Sequence, residues 1–250
     1  MQKFSNKTAL ITGGTNGMGF ATAQKWIEEG GKVIITGRSK ETLNKALAKL
    51  GENASGIVSD AGNIEDLMNL HEQVKQYTSQ IDLVFANAGY GRFAPIEYVD
   101  ENHFDELFNM LVKGPFFTVQ QVLPLMKKGS SVIFNTSVAT EIAMHNFSIY
   151  SAAKSAVQSF IKTFAVELTD HGIRVNGVSP GHIKTNIFNN TGLSSEQIES
   201  AIDDIIPTIP FKRQGEPSEI ANVVLFLASD EASYIHGAEI KVDAGISVIR

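Results

Sequence analysis

The sequence predicts a three-layer α/β/α domain, a doubly wound parallel sheet of about seven strands with helices on both faces. Three observations carry this expectation. Short apolar runs alternate with helically spaced apolar residues from one end of the 250-residue chain to the other. Most of those runs are continuous stretches of Val, Ile and Leu, the pattern of strands buried on both faces. A glycine cluster marks the first strand-to-helix junction.

At this length one substantial core is expected, so residues 1–250 read as a single domain with no repeat, linker or low-complexity segment. A net charge of −6, with no Lys/Arg run, argues against a nucleic-acid partner. The chain has no cysteine, which removes disulfides, thiolate metal ligands and a thiol nucleophile. Its six histidines are scattered, and no His-Glu-x-x-His or paired-carboxylate pattern appears, so no metal site is expected. No apolar run approaches the ~20 residues that span a bilayer, and the first strand begins too early for a signal peptide. The expectation is a soluble, cytoplasmic protein without a membrane partner.

Residues 8–12 read as the first strand. The chain then turns through Thr12-Gly13-Gly14-Thr15-Asn16-Gly17-Met18-Gly19 into a helix marked by Phe20, Ala23, Trp26 and Ile27. Gly13, Gly17 and Gly19 permit a tight turn and close approach of backbone to a pyrophosphate. The helix N-terminus supplies unpaired N–H groups and a positive dipole end. Thr15, Asn16 and Met18 lie in the same turn and join the candidate cofactor contacts.

Residues 32–36 form the second strand. In a dinucleotide fold, an acid about 20 residues on holds the ribose 2′-hydroxyl and selects NAD, whereas arginine suits the 2′-phosphate of NADP. Here the strand ends Thr36-Gly37-Arg38-Ser39, without an acid. NADP(H) is therefore preferred over NAD(H), with Arg38 facing the phosphate and Ser39 placed to cap the next helix. The third strand, 54–59, leads to Asp60 and Ala61, and the fourth, 81–86, to Asn87-Ala88-Gly89. Both ends can touch adenosine, and Asp60 reads equally as a turn or helix cap.

The fifth strand, 131–136, delivers Ser137. The next helix carries Tyr150 and Lys154 ahead of Ala156, Phe160, Phe164 and Leu168. Tyr150 and Lys154 share a helix face, about 6 Å apart along the axis and about 40° around it. An ammonium beside a phenol stabilises the phenolate and lowers its pKa from about 10, giving a proton donor usable near neutral pH. Ser137, Tyr150 and Lys154 are the candidate catalytic residues, for hydride transfer coupled to proton transfer. The sixth strand, 174–178, leads to Pro180-Gly181, and the seventh is 239–242. Between them the irregular stretch 182–213, with Pro207 and Pro210, reads as a substrate loop at the carboxyl ends of the strands.

In this order the motifs resemble the short-chain dehydrogenase/reductase family over essentially the whole chain. Thr-Gly-x-x-x-Gly-x-Gly stands at 12–19, Asn-Ala-Gly at 87–89 and Tyr-x-x-x-Lys at 150–154. Ser137 lies thirteen residues before the tyrosine, and the post-strand Pro-Gly is Pro180-Gly181. The resemblance implies a Rossmann-type fold in which Tyr150 is the general acid–base and Ser137 polarises the substrate oxygen. Lys154 would lower the pKa of Tyr150 and bind the nicotinamide ribose. Ile183 and Thr185 would hold the carboxamide, and Asn87 would support the adenosine side. A homo-oligomer, commonly a tetramer, is also implied; the helix carrying Tyr150 could contribute an interface, although Phe160 and Phe164 suit plain core.

The chain departs from the family pattern in three places. The asparagine usual ahead of a Gly-x-Phe-like segment aligns with Leu111, before Val112-Lys113-Gly114-Pro115-Phe116. Asn109 lies two positions away, about 200° around a helix, and cannot substitute. That asparagine is thought to hold a water linking the lysine to solvent. Leucine has no hydrogen-bonding group, so slower proton exchange is expected. His236 stands where threonine is common, and Asp243-Ala244-Gly245 replaces Asp-Gly-Gly.

Arg92, His145, Phe147, His182 and Phe188 are the candidate substrate residues, with Tyr90 and Phe93 nearby. They suggest a partly aromatic pocket with a cationic contact at its rim. Three functions follow. The leading one is an NADP(H)-dependent carbonyl reductase or alcohol dehydrogenase acting on a small-molecule ketone/secondary alcohol pair. A 3-oxoacyl-thioester (acyl-carrier-protein) reductase is the rival, and an acidic carrier would require a basic patch from Arg92, Lys184, Lys212 and Arg213. The third is a catalytically weak NADP-binding sensor or scaffold, for which Leu111 is the evidence; the intact Ser-Tyr-Lys set favours an enzyme.

Overall fold

The computed structural model describes residues 2–185, 194, 196 and 203–249. Seven strands form one parallel sheet: β1 (Thr8–Ile11), β2 (Lys32–Gly37), β3 (Ala54–Val58), β4 (Ile81–Ala86), β5 (Met126–Asn135), β6 (Arg174–Pro180) and β7 (Glu239–Val242). Their order is β3-β2-β1-β4-β5-β6-β7. This is the Rossmann-type arrangement, and it reverses direction between β1 and β4, where the carboxyl ends leave a crevice.

The helices are α1 (Gly17–Glu28), α2 (Lys40–Leu50), α3 (Ile64–Met68), α4 (Leu70–Lys75), α5 (Glu101–Phe108), α6 (Gly114–Val122), α7 (Ser148–Leu168) and α8 (Pro217–Ala228). Alternate strand residues point to opposite faces and build two cores. Leu10, Ile34, Val84, Val132 and Phe134 pack on one face against α4, α6 and α7. Ile11, Val33, Ile35, Phe85 and Ile133 pack on the other against α1, α2 and α8. Because both faces are covered, no strand needs a polar side, which explains the continuous apolar runs.

The strand boundaries differ from the sequence reading mainly at β5, which starts at Met126 rather than at 131. Lys127, Lys128 and Gly129 are exposed there and carry no apolar signal, and the pairing with β4 shifts between Ile81 and Leu83. Phe164 is buried and Phe160 packs against the same core, stacked at 5.5 Å, so these rings belong to the interior of the subunit.

Two of the departures have structural explanations. His236 accepts from the Val175 N–H at 3.1 Å and sits 2.8 Å from the Ala165 carbonyl, tying β6 to α7. Ala244 has φ +54, a left-handed conformation that favours the glycine usual at this place. Ala244→Gly is expected to raise stability by about 0.5–1 kcal/mol, the relief of strain exceeding the added chain entropy. Thermal unfolding checks this, and a lower midpoint would contradict it.

Candidate active site

The groove at the β1/β4 reversal is shaped for a dinucleotide. Gly13 and Gly17 take φ +64 and +53. A Cβ at Gly19 would lie 2.5 Å from the Gly13 carbonyl oxygen, so a side chain there would force the turn away from α1. Asn16, at the N-cap of α1, makes no side-chain cap, and the first turn carries no acid. The N-terminal N–H groups and dipole of α1 therefore face the groove without an internal anion, which fits a pyrophosphate.

Gly13, Thr15, Asn16, Gly17 and Met18 line this groove, as do Arg38, Ala61, Asn87, Ala88 and Gly89. Thr12 holds its floor: the Thr12 hydroxyl accepts from the Asn87 and Ala88 N–H groups, both at 3.0 Å. Asn87 Nδ2 donates to the Thr12 carbonyl at 3.0 Å. Three predicted contacts have other work. Gly19 packs beneath the turn, Ser39 accepts from the Thr42 N–H at 3.4 Å as the cap of α2, and Asp60 accepts from the Gly62 N–H at 2.8 Å in a turn.

Tyr90 lines the groove too, a role that the sequence reading placed on the substrate side. The Arg38 guanidinium lies 5.3 Å from the centre of its ring. The Tyr90 hydroxyl donates to Glu106 at 2.7 Å, and burial together with this carboxylate pushes its pKa up.

At the inner end Lys154 is 5 % exposed and donates to the Asn135 carbonyl at 2.7 Å. Asn135 Nδ2 donates to Asn87 Oδ1 at 3.0 Å, so one chain of amides connects the lysine to the glycine turn. Sequence reasoning missed Asn135, which is neither glycine nor titratable. Lys154 Nζ stands 5.9 Å from the centre of the Tyr150 ring, as the four-residue spacing requires. Burial lowers Lys154 to about 8.

The Ser137 hydroxyl faces the Tyr150 hydroxyl and favours its phenolate form. The Tyr150 pKa is raised, contrary to the expectation from its lysine. Burial dominates, and the Ser137 hydroxyl opposes it. Phe93 and Phe147, stacked at 4.0 Å, meet the Tyr150 ring edge-on at 5.6 and 5.8 Å and exclude water from it.

Leu111 falls in a π turn, Asn109–Lys113, between α5 and α6, so the helix assumed for the Asn109 comparison is locally wider. Leu111 is buried in one cluster with Ala61, Ala139 and Tyr150. A Cβ at Gly89 would lie 2.7 Å from a Leu111 methyl, so leucine fills the space beneath the Asn-Ala-Gly turn.

A second cavity, of about 600 Å³, opens on the other side of Tyr150. Ser137, Tyr150, Phe147, His182, Pro180, Gly181, Ile183 and Thr185 all reach it. Thr185 also reaches the groove and lies within contact of Gly17. Two predicted substrate residues do not line the cavity. Arg92 pairs with Glu106, and His145 is exposed, so the rim contact expected of a cation is absent at Arg92. Phe188 and the middle of the predicted substrate loop lie outside the described residues.

A glycine-cradled groove, a buried lysine and a serine facing a tyrosine at the junction with a second cavity define a dinucleotide-type oxidoreductase site. A family profile described as "Enoyl-(Acyl carrier protein) reductase" matches residues 13–247. The chain is 34% identical to the human "Dehydrogenase/reductase SDR family member 4", covering 96% of this chain and 87% of that protein. It is 36% identical to a "3alpha-hydroxysteroid dehydrogenase" of Mediterraneibacter gnavus, covering 95% and 96%. A crystal structure of levodione reductase superimposes with a TM-score of 0.91 at 33% identity, covering 99% and 100%. The chain belongs to the short-chain dehydrogenase/reductase family and is an oxidoreductase of that family acting on carbonyl/alcohol substrates.

Among the described residues no helix is long and apolar enough to cross a membrane.

Proposed function

We propose that the protein is an NADP(H)-dependent carbonyl reductase or alcohol dehydrogenase working as one catalytic domain. The observation that carries this reading is Tyr150, which lines both groove and cavity, with Ser137 on the cavity side and Lys154 on the groove side. A bound nicotinamide supplies the hydride for reduction and accepts it for oxidation. In reduction Tyr150 Oη gives its proton to the carbonyl oxygen while Ser137 Oγ hydrogen-bonds that oxygen. The Lys154 ammonium favours the phenolate that remains and offers its free N–H groups to the ribose. In oxidation the same tyrosine takes the hydroxyl proton. The glycine turn, Asn87 and the Pro180-Gly181 to Thr185 segment bind the dinucleotide, and Phe147 and His182 face the substrate. The proposal includes the cytoplasmic homo-oligomer, a tetramer, that the family resemblance implies.

Preference for NADP(H) rests on Arg38, which the Tyr90 ring supports and no acid neutralises at the strand end. Arg38→Ser is expected to lower the NADPH:NADH ratio of kcat/KM by about 10–100-fold, mainly through KM, because charge-assisted bonds are worth about 1.5–3 kcal/mol. Oxidation of both cofactors against a panel of ketones checks this. An unchanged ratio would remove the case for NADP.

The acyl-carrier rival needs unpaired cations, and the four candidates are engaged. Arg92 pairs with Glu106, Lys184 with Glu216 and Arg213 with Glu219, and Lys212 Nζ donates to the Pro207 carbonyl at 2.6 Å. An acidic carrier would find three of these four charges already paired with carboxylates.

A further inference from the structure

The wall of the 600 Å³ cavity is strongly biased. Ile142, Met144, Phe147, Ile205, Ile246 and Ile249 are among its lining residues, and no Lys, Arg, Asp or Glu faces it among the described residues. A carboxylate or phosphate brought there would shed its water with no counter-charge to replace it. A polyol would leave most of its hydroxyls unpaired.

Besides Ser137 and Tyr150, the polar residues of the lining include His182 and Gln214. A parallel bridge joins Ile183 to Gly215, and it sets the preceding residues, His182 and Gln214, side by side. Gly215 N–H donates to the His182 carbonyl and Lys184 N–H to the Gly215 carbonyl, both at 2.9 Å, so this placement is fixed by backbone. Both residues line the cavity. Burial lowers the pKa of His182, so its ring is neutral at pH 7 and offers one donor and one acceptor. Intermediate burial leaves these two polar side chains available to a molecule that enters the cavity and displaces water from them.

We propose that the substrate is an uncharged, largely apolar ketone carrying a second oxygen function, which His182, with Gln214 beside it, hydrogen-bonds while the reacting oxygen lies at Ser137 and Tyr150. This rests on the carbonyl-reductase reading above. The second oxygen fixes which carbonyl is presented, a task that an apolar wall alone performs weakly.

The test compares cyclohexane-1,4-dione with cyclohexanone, which share a ring and differ in the second oxygen. Levulinate and acetoacetyl-CoA serve as charged and thioester controls. The dione is expected to exceed the monoketone in kcat/KM by about tenfold or more, the worth of one hydrogen bond in a desolvated site. His182→Leu is expected to reduce that preference about tenfold, mainly through KM, and His182→Gln to restore part of it. Calorimetric affinities of the two ketones for Tyr150→Phe should show the same His182-dependent preference without turnover.

Equal turnover of the two ketones, or a preference that His182→Leu leaves intact, would overturn this inference. So would turnover confined to levulinate or acetoacetyl-CoA, which leaves the oxidoreductase reading standing. Absence of turnover on every carbonyl would overturn the proposed function and this inference with it.

Discussion

Tyr150→Phe is expected to lower kcat for carbonyl reduction by about a thousandfold or more, while NADPH affinity and ketone KM change by less than about threefold. The variant removes one oxygen and keeps the ring that packs against Phe93 and Phe147. Only the proton donor is lost, so the loss belongs in kcat. The fold should tolerate the change, because Ser137 Oγ keeps its bond from the Ala139 N–H at 3.2 Å. Steady-state kinetics with cofactor titration checks the split. Retention of more than about a tenth of kcat would show that another group protonates the substrate. A rise in KM with kcat intact would make Tyr150 a binding residue instead.

Much of the site was legible because its chemistry needs particular residue types at fixed spacing. The glycines at 13, 17 and 19 are required by backbone geometry, and Tyr150 and Lys154 by helical pitch, so sequence placed them well. The sheet was legible for a related reason: strands covered on both faces leave apolar runs that nothing else produces at this length. What sequence could not reveal depends on contacts between distant segments. Arg92 reads as a free cation until the fold brings Glu106 to it, fourteen residues away. The carbonyl that holds Lys154 belongs to the backbone of Asn135, which has no side-chain signature for that role. The cavity wall takes Ile142, Ile205 and Ile246 from three separate segments, and each reads alone as ordinary core. Leu111 is the intermediate case. Sequence flagged the missing amide, and the structure adds that its methyls occupy the space between Gly89 and Tyr150.

The direction of the Tyr150 shift was misread for the same reason. Spacing fixes how near the lysine stands but not how dry the pair is, and here burial outweighs proximity. The lysine is under equal pressure. Its ammonium is buried, with the Asn135 carbonyl as hydrogen-bond acceptor and, among the described residues, no carboxylate in contact.

That pressure leads to the second large effect: Lys154→Met is expected to stabilise the cofactor-free chain while lowering kcat by at least about a hundredfold. Holding the ammonium at a pKa of about 8 rather than at the ordinary lysine value of 10.5 corresponds to about 3 kcal/mol of destabilisation at neutral pH. Methionine removes this penalty and keeps most of the side-chain volume, but it leaves the Asn135 carbonyl unpaired, at a cost of about 1–2 kcal/mol. The net gain is about 1–2 kcal/mol at pH 7.

The sign with pH follows from linkage. Below about pH 8 the lysine is charged in both folded and unfolded chains, and the burial penalty is present in full. Between about 8 and 10.5 the folded chain releases its proton first, so the penalty fades as pH rises. The stability advantage of Lys154→Met should therefore shrink from pH 7 to pH 10. The same ammonium supports reduction by the wild-type enzyme, so its kcat/KM should fall as pH rises through about 8. Urea unfolding of both chains at the two pH values measures the first effect. A variant less stable than wild type at pH 7 would mean that the bond to Asn135 outweighs the desolvation of Lys154, and that the lysine costs the fold nothing.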